Sequence, residues 1–260
     1  MSVDALLADA ASRPVGGWDC TALGDRLQVR PLPWDFAEIV ATHAERSPDL
    51  LDLETGGGEW LSELRHRPPR VVATEPWPPN AAVARARLEP LGVTVPEVEA
   101  PPDNVDPVED DGREWLPVAS SSFSLVTSRH AAFVPREIAR VLTPGGVFLT
   151  QQVGGDYRRF EELLGLPSGT PTAPVWNAAL ATRQLDAVGL DVTDADESQE
   201  DTVFADVGAL AWYLRLIPWV VPGFTIDAYR SALERLHAEF EQGPIAVAQP
   251  AFWLRAVKRN

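Results

Sequence analysis

The sequence predicts an α/β fold in which a mostly parallel sheet carries helices on both faces. Three observations lead there. Between Asp49 and Val153, five short apolar runs alternate with segments of helical period. A glycine-dense turn, Gly56-Gly57-Gly58, joins the first run to the helix after it. The composition is that of an ordinary globular chain, 45% apolar and 23% charged over 260 residues, enough for a sizeable core.

The elements follow in order. Residues 1–45 read as an N-terminal segment of helical pieces broken by Pro14, Gly16, Gly17, Pro31 and Pro33. Trp34 to Glu45 is a helix with Pro33 just before it. Asp49 to Leu53 is a strand, and the pattern Trp60, Leu61, Leu64 after the glycines is a helix. Arg70 to Thr74 is the second strand and Asn80 to Leu91 the second helix. Val93 to Val98 reads as a weaker third strand, and residues 100–114, rich in Pro and Asp, as a loop. Ser122 to Ser128 is the fourth strand. Pro135 to Leu142 is a short helix closed by Pro144-Gly145-Gly146, and Val147 to Val153 is the fifth strand. Beyond Gly154 come a loop at 165–174, a helix Trp176 to Val188 ended by Gly189, and an acidic stretch Asp191 to Phe204 with strand residues at its ends. An apolar helix Val207 to Ile217 stops at Pro218; Thr225 to Phe240 is amphipathic, and Ala251 to Val257 is a final strand. The whole reads as one domain: a helical segment 1–45, a core 46–154, a helical cap 155–245 and a last strand 246–260.

Composition narrows the function. Lys and Arg total 22 against 38 Asp and Glu, a formal charge of −16 that repels polyanions, so no nucleic-acid partner is expected. Lys258 is the only lysine, a bias toward arginine read as the genome composition of GC-rich bacteria. No run approaches the ~18 apolar residues of a membrane span, and the N-terminus lacks the pattern of a secretion signal. The chain therefore reads as cytoplasmic. The single cysteine, Cys20, fits a reducing compartment as a small buried hydrophobe. With His43, His66 and His237 on helices or a charged turn, no metal site is expected.

The chemistry concentrates in Leu50-Leu51-Asp52-Leu53-Glu54-Thr55-Gly56-Gly57-Gly58-Glu59, a strand that runs through a glycine turn into a helix N-terminus. Glycines admit positive φ and close ligand approach, and the helix start offers free N–H groups. The G-x-G-x-x-G spacing of a dinucleotide turn is absent. The segment resembles the nucleotide loop of class I S-adenosylmethionine-dependent methyltransferases, D-x-G-x-G-x-G. Asp52, Gly56 and Gly58 match, and Glu54 stands where the pattern has its first glycine. A carboxylate there either meets the ligand's ammonium or sulfonium or crowds its methionine moiety.

Two further stretches carry the resemblance. Val71-Val72-Ala73-Thr74-Glu75 is an apolar strand ending in an acid, followed by Pro76 and Trp77. Ser122-Phe123-Ser124-Leu125-Val126, with Leu142-Thr143-Pro144-Gly145-Gly146 later, is similar to the family's fourth strand and its turn into the fifth; Ser124 replaces a common aspartate. Thr74-Glu75, Arg129-His130 and Thr150-Gln151-Gln152 also look like a narrower bacterial subfamily of unassigned methyltransferases. The resemblance implies a Rossmann-like three-layer sandwich, a seven-stranded mostly parallel sheet with an antiparallel last strand, and extra helices over the acceptor side. It implies binding of S-adenosylmethionine and its product S-adenosylhomocysteine. Asp52, Glu54 and Thr55 would bind the cofactor, and the turn of Gly56, Gly57 and Gly58 would hold its methionine end. Glu75 would hold the ribose hydroxyls, with Pro76 and Trp77 against the adenine. One of Asp103, Asp106, Asp110 and Asp111 would hold the adenine amino group, unless these acids are only a solvated loop.

Ligands in open α/β sheets sit at the carboxyl ends of the strands. Ser128, Arg129 and His130 end the fourth strand, the first two expected at the cofactor; Gln151 and Gln152 end the fifth. His130 reads either as a general base or as a histidine that only hydrogen-bonds the loop or cofactor. Trp18, Trp34, Trp176, Trp212, Tyr213 and Trp219 either line an apolar acceptor pocket or pack the extra helices, and the Val207 helix suits burial or a homodimer interface. The expected reaction is methyl transfer to a small-molecule acceptor. The alternatives are an RNA or protein methyltransferase and a non-catalytic S-adenosylmethionine-binding module.

Overall fold

The computed structural model describes residues 1–15, 20–105, 113–167 and 175–260, with residues 20–22 described by their backbone alone. Trp18, Asp106, Asp110, Asp111 and the Cys20 side chain lie outside the described residues. Seven strands form one sheet: β1 (Leu27–Val29), β2 (Asp49–Leu53), β3 (Arg70–Ala73), β4 (Phe123–Arg129), β5 (Leu142–Val153), β6 (Leu190–Phe204) and β7 (Ile245–Lys258). Their order is β1-β6-β7-β5-β4-β2-β3. β3, β2, β4 and β5 run parallel, and the last strand, β7, is antiparallel to β5. The Rossmann-like α/β class expected from the sequence is the observed one.

The chain divides into two compact units. The larger comprises Pro33–Gly154, Ala173–Ser198 and Ala251–Asn260. Side chains alternate across a strand, and here the alternation feeds two cores. Leu51, Val72, Val126, Phe148, Phe252 and Leu254 face helices α5 (Pro135–Val141) and α7 (Ala178–Ala187). Leu50, Val71, Ala73, Leu125, Leu149 and Trp253 face α2 (Phe36–Ala44), α3 (Glu59–Glu63) and α4 (Pro78–Leu88). Buried on both faces, these strands read as nearly continuous apolar runs, as parallel strands do.

The smaller unit comprises Met1–Leu32, Gly155–Thr172 and Gln199–Pro250. Its core joins α1 (Val3–Ser12), α6 (Arg158–Leu163), α8 (Val207–Leu216) and α9 (Arg230–Phe240). Asp206 caps α8 by accepting from Ala209 N at 2.9 Å, and its carboxylate also accepts from Arg26 Nε at 2.7 Å.

Four sequence expectations are corrected. Val93–Val98 is not a strand: it makes one parallel bridge, Thr94 to Val72, and Pro96 then lacks the N–H that would extend the ladder. Leu27–Val29, expected within helical pieces, is a strand because it pairs antiparallel with Thr202–Phe204. The fifth strand starts at Leu142 rather than Val147, the Pro144-Gly145-Gly146 turn lying inside it as an irregularity between the Phe123–Leu142 and Leu125–Val147 pairs. The acidic stretch after Gly189 is one 15-residue strand. Among the described residues no helix is long and apolar enough to cross a membrane.

Candidate functional site

The glycine turn leaves β2 at Leu53 and enters α3 at Glu59. Gly58 caps α3 with φ 77°, and a Cβ there would stand 2.7 Å from Leu88 Cδ1 of α4. Both conditions select glycine. Gly56 has φ 65°, and its N–H donates to Glu75 Oε2 at 2.8 Å. Gly57 accepts from Arg87 at its carbonyl, and Arg87 also pairs with Glu59. Glu54 occupies the left-handed region at φ 51°, which is where a glycine is at ease and a glutamate is strained. Its N–H donates to Thr74 Oγ1 at 3.2 Å, and Thr55 N donates to Thr74 O at 2.8 Å.

The structure therefore brings the turn and the end of β3 together. Glu75 is 6% exposed and accepts from two backbone amides, Gly56 on one oxygen and Trp77 on the other, at 2.8 and 2.9 Å. Each carboxylate oxygen keeps a lone pair for a further donor. Pro76 is half-buried and Trp77 is 46% exposed at the start of α4.

Three carboxylates crowd this turn. Asp52 is wholly buried; burial pushes its pKa up to about 7, against the hydroxyls of Thr127 and Thr55 and the charge of Arg129, and with Glu75 adding to the rise. Thr127 Oγ1 donates to Asp52 Oδ1 at 2.7 Å. Burial, then the nearby Glu75, raises Glu54 to about 7. Glu75 is also raised by burial, less so because two amides stabilise its charge. Among the described residues, the buried Asp52 Oδ2 and Thr55 Oγ1 find no hydrogen-bond partner beyond the approach of the Thr55 hydroxyl to the Asp52 carboxylate.

The ends of β4 and β5 hold the other candidates. Ser128 is buried and donates to Ala131 O at 3.2 Å, while Arg129 is exposed. His130 adopts φ 59°, so two of the three described non-glycine residues at positive φ, Glu54 and His130, are candidate site residues. The His130 ring meets Gln151 Nε2 at 3.0 Å through its Nε2, and Trp34 Nε1 donates to Gln151 Oε1 at 2.9 Å. Surrounding protein and the Arg129 charge push the His130 pKa down, a shift limited by water at its exposed side. Gln152 donates to Ala131 O and Thr150 Oγ1 at 3.0 and 2.7 Å, bracing the same loop.

Glu137, unnoticed in the sequence, organises the wall opposite the turn. It is 2% exposed and accepts from the amides of Trp115 and Leu116 at 2.8 and 3.0 Å. Arg140 grips it with Nε on Oε1 at 2.7 Å and Nη2 on Oε2 at 2.8 Å. Burial pushes the Glu137 pKa up, but Arg140 and the two amides together bring it below its ordinary value. Trp115, also unnoticed, presents a buried indole N–H without a partner among the described residues. A cavity of about 30 Å³ lies between Leu53, Glu54, Thr74, Trp115, Phe133 and Ile138. That is room for a water or two. Glu137 and Arg140 stand three apart on a helix, a local signal of pairing; Trp115 carries no signal in the sequence. Asp103 is exposed and accepts from Val105 N at 3.4 Å.

The aromatic residues separate. Trp34 joins Gln151 at the site. Trp176 and Trp212 are core residues at 6% and 3% exposure, and Tyr213 stacks on Phe160 at 6.0 Å. Trp219 is 51% exposed.

Residues 51–150 match the family model described as a methyltransferase domain. Among curated proteins none matches the chain. Solved structures of the same fold include a candidate methyltransferase from Bacillus halodurans C-125, 18% identical, covering 87% of this chain and 99% of its own, with a TM-score of 0.58. The YcgJ protein of Bacillus subtilis is 17% identical over 86% of this chain and 98% of its own, with a TM-score of 0.57. A protein of unknown function from Deinococcus radiodurans R1 is 15% identical over 92% and 95%, with a TM-score of 0.56.

Proposed function

We propose that this chain is a class I methyltransferase that transfers the methyl group of S-adenosylmethionine to a small-molecule acceptor, a reading supported by the match of residues 51–150 to a methyltransferase domain. The observation that carries the donor assignment is the unmet polar capacity around the glycine turn. Among the described residues, Asp52 Oδ2 and Thr55 Oγ1 have no partner beyond each other, and Asp52, Glu54 and Glu75 crowd together with no ion pair to a basic side chain. Such a place favours a cation that also brings hydrogen-bond donors. S-adenosylmethionine has a sulfonium, an ammonium and two ribose hydroxyls.

The residues present fit that ligand. Glu75 would receive the ribose hydroxyls on its free lone pairs. Asp52, Thr55 and the Gly56–Gly58 backbone would hold the methionine end, and Glu54 would sit beside the positive charge. When bound, S-adenosylmethionine supplies an activated methyl group on its sulfonium. The chain's part is to hold acceptor and donor in line, which by itself lowers the barrier substantially. Ser128, Arg129 and His130 border the acceptor side at the end of β4. The charge of −16 supports a small molecule over RNA as acceptor.

Calorimetry of the purified chain with S-adenosylmethionine and S-adenosylhomocysteine tests the reading. Both are expected to bind and to raise the melting temperature. Absence of heat and of any thermal shift at millimolar ligand would overturn it.

A further inference from the structure

Trp34, Gln151 and His130 form a chain of side-chain hydrogen bonds whose direction is fixed at one end. An indole N–H can only donate. Trp34 Nε1 lies 2.9 Å from Gln151 Oε1, so the amide oxygen of Gln151 must face Trp34. The reverse orientation would set the Gln151 NH₂ against the indole N–H, donor against donor. The Gln151 NH₂ therefore faces His130 Nε2 at 3.0 Å, and because that group only donates, Nε2 must accept. Gln151 is 4% exposed, so water does not substitute freely for either partner. The proton of a neutral His130 then resides on Nδ1, which has no hydrogen-bond partner among the described residues, and the residue is exposed just past the carboxyl end of β4.

We infer that Trp34 and Gln151 are positioning residues that hold His130 as the neutral Nδ1–H tautomer, so that it meets the methyl acceptor as a hydrogen-bond donor and not as a base. The one basic lone pair of the ring is spent on Gln151. Taking up a proton at Nε2 requires the Gln151 amide to turn over and break its bond to Trp34. The acceptor suited to this site is one whose nucleophilic atom carries no proton at neutral pH, such as a carboxylate oxygen. Its oxygen forms the new bond to the methyl carbon, the carbon–sulfur bond breaks with its electron pair left on sulfur, and no proton has to leave. This substrate class rests on the methyl-transfer reading; the tautomer does not.

The experiment uses the full chain labelled with ¹⁵N and long-range nitrogen–proton correlation of the histidine rings at pH 7, without ligand. His130 is expected to show a protonated Nδ1 and a bare Nε2. In Trp34→Phe, which removes the fixed donor, a mixture of tautomers is expected. In Gln151→Glu, whose carboxylate accepts from both neighbours, the proton is expected to move to Nε2. A wild-type His130 protonated on Nε2, or on both nitrogens, overturns the inference without any variant having to fold. A folded Gln151→Glu protein with the tautomer unchanged also overturns it. Calorimetry with S-adenosylmethionine on the same sample reports separately on the methyl-transfer reading. In activity screens, carboxylic acids are expected to be methylated in preference to the corresponding alcohols; the opposite preference refutes the substrate class.

Discussion

The backbone N–H of Gly56 donates to Glu75 Oε2 at 2.8 Å, tying the glycine turn after β2 to the acid that ends β3. The same carboxylate accepts from Trp77 N at 2.9 Å, so one side chain sets the shape of both loops before any ligand arrives. A residue expected to touch ribose is thus also a structural cross-link.

That double role gives Glu75→Ala two effects. Binding of S-adenosylmethionine should weaken by about 1.5–3 kcal/mol, the range for hydrogen bonds to a charged group. The melting temperature should fall as well, because the buried Gly56 N–H is left without an acceptor, a loss of about 1–3 kcal/mol. Calorimetry and thermal unfolding on the same preparation check both. A variant that loses affinity at unchanged stability would remove the cross-linking role.

Glu54 combines a left-handed backbone at φ 51° with a carboxyl raised to about 7. Its folded pKa lies above its ordinary value of 4.5, so its contribution to stability is fully present below that value and is lost as pH rises through about 7. Glu54→Gln keeps the shape and removes the titration. Its melting temperature relative to wild type should therefore rise between pH 5 and pH 8. Glu54→Gly also relieves the backbone and should gain about 0.5–1 kcal/mol more, the strain relieved exceeding the entropy added to the unfolded chain. Melting curves across that pH range that stay parallel would contradict the first expectation, and a destabilised Glu54→Gly the second.

Gly58 and Gly92 separate backbone strain from crowding. Both have positive φ, 77° and 81°, but a Cβ at Gly58 meets Leu88 at 2.7 Å whereas one at Gly92 meets nothing within 4 Å. Gly92→Ala should cost about 1 kcal/mol from conformation alone. Gly58→Ala should cost a further 1–3 kcal/mol, about the usual penalty of overpacking, and should displace α4 from the turn. Urea unfolding of the two variants side by side measures the difference.

Glu137 and Arg140 hold the 115–118 segment against α5. Their side chains are 3% and 16% exposed. Glu137→Ala leaves two amides without their acceptor and takes the carboxylate from the partly buried Arg140, which keeps the carbonyls of Leu116 and Val118, and should cost about 1–3 kcal/mol. Because the folded pKa of Glu137 is depressed, its contribution is present above the ordinary carboxylate value and is lost as pH falls through the lower folded one. The gap between wild type and Glu137→Gln should therefore narrow below about pH 4. Equilibrium unfolding at pH 7 and pH 3.5 checks it; a gap independent of pH would mean that the charge of Glu137 contributes nothing.

The sequence by itself determined the parallel block and the glycine turn. Leu50, Leu51, Val71, Val72, Leu125 and Val126 sit in short apolar runs because both faces of their strands are covered, and such runs are visible without neighbours. Gly56 and Gly58 are equally legible, since positive φ demands glycine at the position itself. Tertiary structure decided the rest. Leu27–Val29 is a strand only because Thr202–Phe204 runs beside it, and Val93–Val98 is none because Pro96 ends the ladder along β3 after one bridge. The proton on His130 depends on Gln151, and the orientation of Gln151 on an indole 117 residues away in the chain. Hydrogen-bond direction between distant side chains follows from which donors and acceptors the fold sets face to face, and no local period in the sequence encodes it.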